Sequence, residues 1–205
     1  MNRAEQDRVQ PMISDTRKAL HTARLSLHTV SDSDAPDIQR AAAAREIADS
    51  MISIPHPYPP GEARRYIARE KAAQESGQAL SFAIRKRSDN DFLGIIELRA
   101  IEQEHSQGEL SFWLTQDAWG KGYMPEALAE VIRFGFAEIK LNRLYAYHML
   151  RNPASGIILE RTGFSREGLL RQRVRKWGVY EDVALWAILY RDWLSAEART
   201  CVPPA

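Results

Sequence analysis

Residues 114–128 read Leu114-Thr-Gln-Asp-Ala-Trp-Gly-Lys-Gly-Tyr-Met-Pro-Glu-Ala-Leu128. Just before them, Gly108 to Leu114 has the pattern of a β-strand. From Pro125 onward the period changes: Leu128, Val131, Ile132, Gly135, Phe136 and Ile139 fall on one helix face. Gly120-Lys121-Gly122 therefore sits where a strand hands over to a helix. Glycine tolerates positive φ and puts no side chain in the way of a ligand. The first N–H groups of a helix lack intrahelical partners, and with the helix dipole they form a cradle for phosphate or pyrophosphate. Pro125 suits that first turn, because its missing N–H would have had no partner. Neither the Gly-Lys-Ser/Thr ending of the ATPase phosphate loop nor the six-residue dinucleotide fingerprint is present. A tight structural turn is the alternative reading of the same glycines.

Working outward, Ala23 to Val30 alternates as a strand. Ser31-Asp-Ser-Asp is a helix-start cluster with Asp34 as cap and Pro36 behind it, and Ala41 to Ser50 reads as helix. Ile54-Pro-His-Pro-Tyr-Pro-Pro-Gly is a semi-rigid loop, since each proline fixes φ and removes a donor. A helix follows over Glu62 to Glu75, ended by Gly77; then come strands Leu80 to Lys86 and Phe92 to Ala100, with turns at Asp89-Asn90 and Gln107-Gly108. Leu144 to Leu150 is a strand, and Asn152-Pro153 opens a helix that stops at Gly163. Leu169 to Lys176 and Asp182 to Leu189 are strands joined through Trp177-Gly178. The order predicts a single α/β (α+β) domain over 23–194. Its mixed central sheet has about six to seven strands and about four flanking helices, with parallel pairing across the two later helices. Residues 1–22 read as a leader and 195–205 as a tail.

The chain has 205 residues, with 28 Lys+Arg against 27 Asp+Glu, a formal charge of +1. That balance argues against a surface that grips nucleic acid or anionic membrane as a whole. A single cysteine, Cys201, precludes an internal disulfide, and no apolar run is long enough to span a membrane. A reduced, cytoplasmic protein is expected. The five histidines, His21, His28, His56, His105 and His148, include no pair with ligand spacing on a helix, so no metal site is expected.

Trp119-Gly120-Lys121-Gly122-Tyr123 followed by Glu126-Ala127-Leu128 resembles the coenzyme A pyrophosphate loop of the GNAT superfamily of N-acetyltransferases. A second block fits in order and separation: Asn152-Pro-Ala-Ser155, Leu159-Glu-Arg-Thr-Gly163-Phe164, then Glu167-Gly168 and Arg171. Ile54-Pro-His-Pro-Tyr58, and Gly178-Val-Tyr-Glu-Asp182 into Trp193, resemble the Rim-type branch, which includes ribosomal-protein N-terminal acetyltransferases. The resemblance spans about Ala23 to Trp193. It departs at Asp117, where the superfamily often has Gln or Arg, and at Leu159, where many members carry a tyrosine that protonates the leaving thiolate.

The resemblance implies acetyl transfer from acetyl-coenzyme A to an amine by direct attack, with no metal. It places the coenzyme against Trp113, Leu114, Trp119, Gly120, Lys121, Gly122, Tyr123, Met124, Asn152 and Ser155. An α-amine has pKa about 7.7–8.0 against about 10.4 for lysine, so a carboxylate acting through water could deprotonate it. Glu109 is the preferred base and Glu97 the second candidate; a solvent-facing or arginine-paired carboxylate is the plain alternative. Ser155 replaces the missing tyrosine as acid, or is an ordinary helix-start serine. A backbone N–H where the strand ending at Leu114 splays would polarise the carbonyl. His56, Tyr58 and Trp177 are candidate acceptor contacts. The acceptor is a peptide N-terminus or small amine, with a ribosomal protein as one possible partner, and the enzyme is a monomer or a homodimer through exposed aromatics near Trp177, Trp186 and Trp193. A rival reading remains. Arg161, Arg166, Arg171, Arg173, Arg175 and Lys176 oppose only Glu167 over 161–176. This tract suits a non-catalytic coenzyme A-binding or RNA/ribosome-binding module, or simply a solvated strand face.

Overall fold

The computed structural model describes residues 19–200, with side chains through 198. Eight strands form one sheet: β1 (Leu20–His21), β2 (Leu25–Thr29), β3 (Leu80–Lys86), β4 (Phe92–Glu102), β5 (Gln107–Leu114), β6 (Arg143–Met149), β7 (Ser165–Lys176) and β8 (Val179–Leu189). The helices are α1 (Ala35–Ala42), α2 (Arg45–Ser50), α3 (Glu62–Glu75), α4 (Tyr123–Ala137), α5 (Pro153–Arg161) and α6 (Tyr190–Thr200). The α+β class stands. The element count exceeds the expectation for local reasons. Leu20–His21 is too short to show a period and is defined only by pairing with Ser26 and Leu27. The alanine-rich run expected as one helix from Ala41 is two, because Ala44 is extended (φ −65°, ψ 128°) and α1 begins earlier, at Ala35. Helix α6 occupies the start of the expected tail, while Cys201 and residues 1–18 lie outside the described residues.

The strand order is β1-β2-β3-β4-β5-β6-β8-β7. Only β5–β6 is parallel. Parallel pairing was expected across both later helices. Across α4 it occurs, but after α5 the chain passes over one position and β8 fills the gap, antiparallel to both β6 and β7.

The two sheet faces carry separate cores. On one, Leu128, Val131 and Ile132 of α4 and Leu159 of α5 pack on Ile96, Leu98, Leu110 and Leu144. On the other, Ile38, Ile47 and Ile67 of α1–α3 pack on Ile95 and Trp113. Each fully buried Leu or Ile contributes roughly 1.5–3 kcal/mol. Trp186 and Trp193 are half-buried against the first core, whereas Trp177 is 43% exposed.

Candidate active site

The glycine turn sits at the end of β5. Gly120 (φ +71°) and Gly122 (φ +75°) are both left-handed, and Gly122 caps α4. Among the described residues the amides of Gly120, Lys121 and Gly122 donate to no protein group. A Cβ at Gly120 would meet nothing within 4 Å. The Trp119 indole N–H donates to the Leu114 carbonyl at 2.9 Å, tying the turn to β5. From the other side, Arg24 donates to the Lys121 carbonyl (3.1 Å) and to Glu126 (2.6 Å) while lying over the Tyr123 ring. Burial pushes the Glu126 carboxyl up, but hydrogen bonds from Thr22 and Arg24 outweigh it and hold it below its ordinary value. The cradle is thus open, preformed and braced, which fits a pyrophosphate.

Beside it the sheet parts. Pairing of β5 with β6 ends at Leu110↔Ala146, although the strands continue to Leu114 and Met149. The resulting cleft is bordered by Glu109, Ser111, Tyr147, His148 and Ser155. Asn152 caps α5 and its amide donates to the Ser155 hydroxyl oxygen at 3.0 Å, leaving the serine proton free to donate. The His148 Nδ1 donates to the Met149 carbonyl at 2.9 Å, which fixes the ring with Nε2 toward Gly156. Gly156 is required beside it, since a Cβ there would stand 2.8 Å from Nε2.

A second cavity of about 220 Å³ adjoins, bordered by Met51, Tyr58, Tyr66, Glu97, Arg99 and Trp113. Arg99 and Met51 border both spaces. Arg99 also sorts the two carboxylates. It donates twice to Oε1 of Glu109, at 2.6 and 3.2 Å, and among the described residues Oε2 has no donor. Glu97 is buried and accepts the Tyr66 hydroxyl at 2.6 Å; burial raises its pKa, opposed by Tyr66 and Arg99. Burial, then Glu62, pushes the Tyr58 phenol up to about 12.

The expected residues therefore divide. Gly120, Lys121, Gly122, Trp119 and Tyr123 form the turn, and Asn152, Ser155 and Glu109 meet at the cleft. The side chains of Leu114 and Met124 are buried in the first core and Trp113 packs on Phe92 in the second, so these three side chains serve the cores rather than the turn. Tyr58 borders the second cavity. His56 and Trp177 meet as tilted rings, with centroids 6.1 Å apart, where the β7–β8 tip meets the proline loop, a joint fixed by Lys176 donating to the Ile54 carbonyl at 2.6 Å. Arg24, Tyr66, Arg99, Tyr147 and His148 were missed. For Arg99 a signal existed, since it shares a strand face with Glu97.

The Acetyltransferase (GNAT) domain model matches residues 24–165. The chain belongs to the GNAT acetyltransferase family. An uncharacterized N-acetyltransferase, p20, of Bacillus licheniformis is 29% identical over 86% of this GNAT chain and 98% of its own. The ribosomal protein uS5-alanine N-acetyltransferase of Escherichia coli (strain K12) is 29% identical over 67% of this chain and 71% of its own. The same fold occurs in spermidine N-acetyltransferase from Vibrio cholerae, solved with CoA and spermine. The TM-score is 0.75 at 21% identity, covering 84% of this chain and 99% of that one. This GNAT protein is an N-acetyltransferase. Among its described residues no helix is long and apolar enough to cross a membrane.

Proposed function

We propose that this enzyme moves the acetyl group of acetyl-coenzyme A onto a protein N-terminal α-amine. The observation that carries the reading is the open, unpaired amide cradle at Gly120–Gly122, continuous with the cleft where β5 leaves β6. Acetyl-coenzyme A supplies the activated acetyl group. The amides of residues 120–122 hold its diphosphate, and Asn152 and the splayed edge of β5 hold its arm. A main-chain amide of that edge polarises the thioester carbonyl. Glu109 takes the acceptor's proton through a water at its free Oε2, while Arg99 fixes its other oxygen. The Ser155 hydroxyl, oriented by Asn152, returns a proton to the leaving sulfur. Glu97, held by Tyr66, is the second candidate base and lines the acceptor cavity with Tyr58. The relative acting on ribosomal protein uS5 supports a protein acceptor. A small polyamine is the second reading, favoured by Glu62, Glu70 and Glu97 around that cavity, although Arg69 and Arg99 line it too and offset part of their charge.

Calorimetric titration with acetyl-coenzyme A tests the cradle. Gly122→Asp combines a left-handed backbone with an anion facing the diphosphate, and should weaken binding more than tenfold; retained affinity would refute the placement. A panel of N-terminal peptides and polyamines then decides between the acceptors.

A further inference from the structure

The β7–β8 hairpin carries a charge imbalance that the catalytic reading does not use. Arg166, Arg171 and Arg173 on β7 are exposed and enter no ion pair among the described residues. Elsewhere Arg24, Arg85, Arg99, Arg133, Arg143 and Arg151 are each held by a carboxylate. The hairpin's own acids are all engaged: Glu167 by Arg143, Glu181 by Arg151, and Asp182 by the backbone N–H of Gln172 at 2.7 Å. That last bond stabilises a bulge. The register jumps from Leu170↔Val183 to Val174↔Glu181, and Arg171-Gln172-Arg173 oppose a single residue. The bulge is therefore a fixed platform presenting two uncompensated arginines. They lie on the last strand of the sheet, whose outer edge has no strand partner among the described residues.

An open edge offers main-chain donors and acceptors to an extended chain. A second copy of β7 is disfavoured, because pairing would set arginine against arginine. RNA wants aromatic platforms beside the cations. Here Tyr180 lies under Arg175, and Trp177 lies under Arg45 and Lys176. The hairpin tip meanwhile seals against the proline loop at the acceptor cavity. We propose that the outer edge of β7 docks an acidic, extended stretch of the acceptor polypeptide, downstream of the amine held in the cavity. The proposal rests on the protein-acceptor reading above. Strands lie about 4.8 Å apart, so a chain on the outer edge of β7 lies about 19 Å from β5 at the cavity, or about six residues of extended chain. Acidic residues should matter from about the seventh position of the acceptor and not at the second or third.

The test uses twelve-residue peptides identical over their first six residues and carrying Glu, Gln or Lys at about positions 7–10. With the intact enzyme and acetyl-coenzyme A, kcat/KM should rank Glu above Gln above Lys, at least tenfold between the first two at low salt. The difference should collapse at 0.5 M salt. Arg171→Glu combined with Arg173→Glu should abolish the ranking and leave turnover of a four-residue peptide unchanged; Arg171→Gln with Arg173→Gln should abolish it more weakly. Equal kcat/KM for the three peptides overturns the proposal. So does equal loss for the four-residue peptide, or an RNA decamer that binds through these arginines while the Glu peptide does not. Amide-shift mapping with the Glu peptide, without acetyl-coenzyme A, reads docking at residues 171–173 directly. Failed acetylation with intact docking would fault the acceptor reading alone, and absent docking would fault this one.

Discussion

Ser155 and Glu97 are two polar side chains with opposite relations to their surroundings. The Ser155 hydroxyl keeps its proton available because Asn152 donates to its oxygen. Ser155→Ala should lower kcat about a hundredfold, the low end of general acid catalysis, with the acetyl-coenzyme A affinity unchanged by calorimetry. Unchanged turnover would remove it from the mechanism. Glu97 is buried, and burial raises its pKa. A carboxyl with a raised folded pKa stabilises the fold below its ordinary value near 4.3, and its contribution declines as pH rises through the folded value. Glu97→Gln, which still accepts from Tyr66, should therefore raise the melting temperature at pH 8 more than at pH 4. A lower melting temperature at pH 8 would contradict the burial argument.

At the level of elements, α4 depends on a distant brace. Glu126 in its first turn receives Arg24 and Thr22 from the turn between β1 and β2, and Arg24 also holds the Lys121 carbonyl. Arg24→Ala should weaken acetyl-coenzyme A binding about five- to twentyfold, some 1–2 kcal/mol, and leave the acceptor KM unchanged. An altered acceptor KM would place Arg24 outside this role. The same comparison shows which elements a sequence discloses. The turn and the face of α4 were legible because glycine freedom and a 3.6-residue period are local properties. The parting of β5 from β6 was not, since no residue marks where pairing stops. The insertion of β8 beside β6 is a long-range choice of topology. Arg99 between Glu97 and Glu109, and Tyr66 on Glu97, depend on how β4, β5 and α3 come together, so the site's electrostatics could not be read before its assembly. Gly94, whose Cβ would fall 2.1 Å from the Trp113 carbonyl, looked like an ordinary strand residue.

Across the whole molecule, one buried ion cluster sets the response to acid. Asp34 is buried and accepts hydrogen bonds from Arg85, Ser31 and His28. Desolvation pushes its carboxyl up, but those bonds dominate and hold it well below the usual carboxylate range. A depressed folded pKa stabilises the fold above the unfolded value near 3.9 and loses that contribution as pH falls. Stability should drop from about pH 4 downward. Asp34→Asn should cost about 1.5–3 kcal/mol at pH 7, since Arg85 then keeps only Asp37 of its two carboxylates, and flatten the acid limb of a denaturant-midpoint profile. An unchanged slope would assign the acid response to other groups. The sheet itself is joined unevenly. Every neighbouring strand pair in it is antiparallel except β5–β6, whose ladder is confined to Gln107↔Arg143 through Leu110↔Ala146. Two stiff plates, β1 to β5 and β6 to β7, therefore share one short mechanical joint, with α4 spanning it as a strap. A load drawn across the plates would tear the molecule along that line first, which is also the line a long, thin guest must thread.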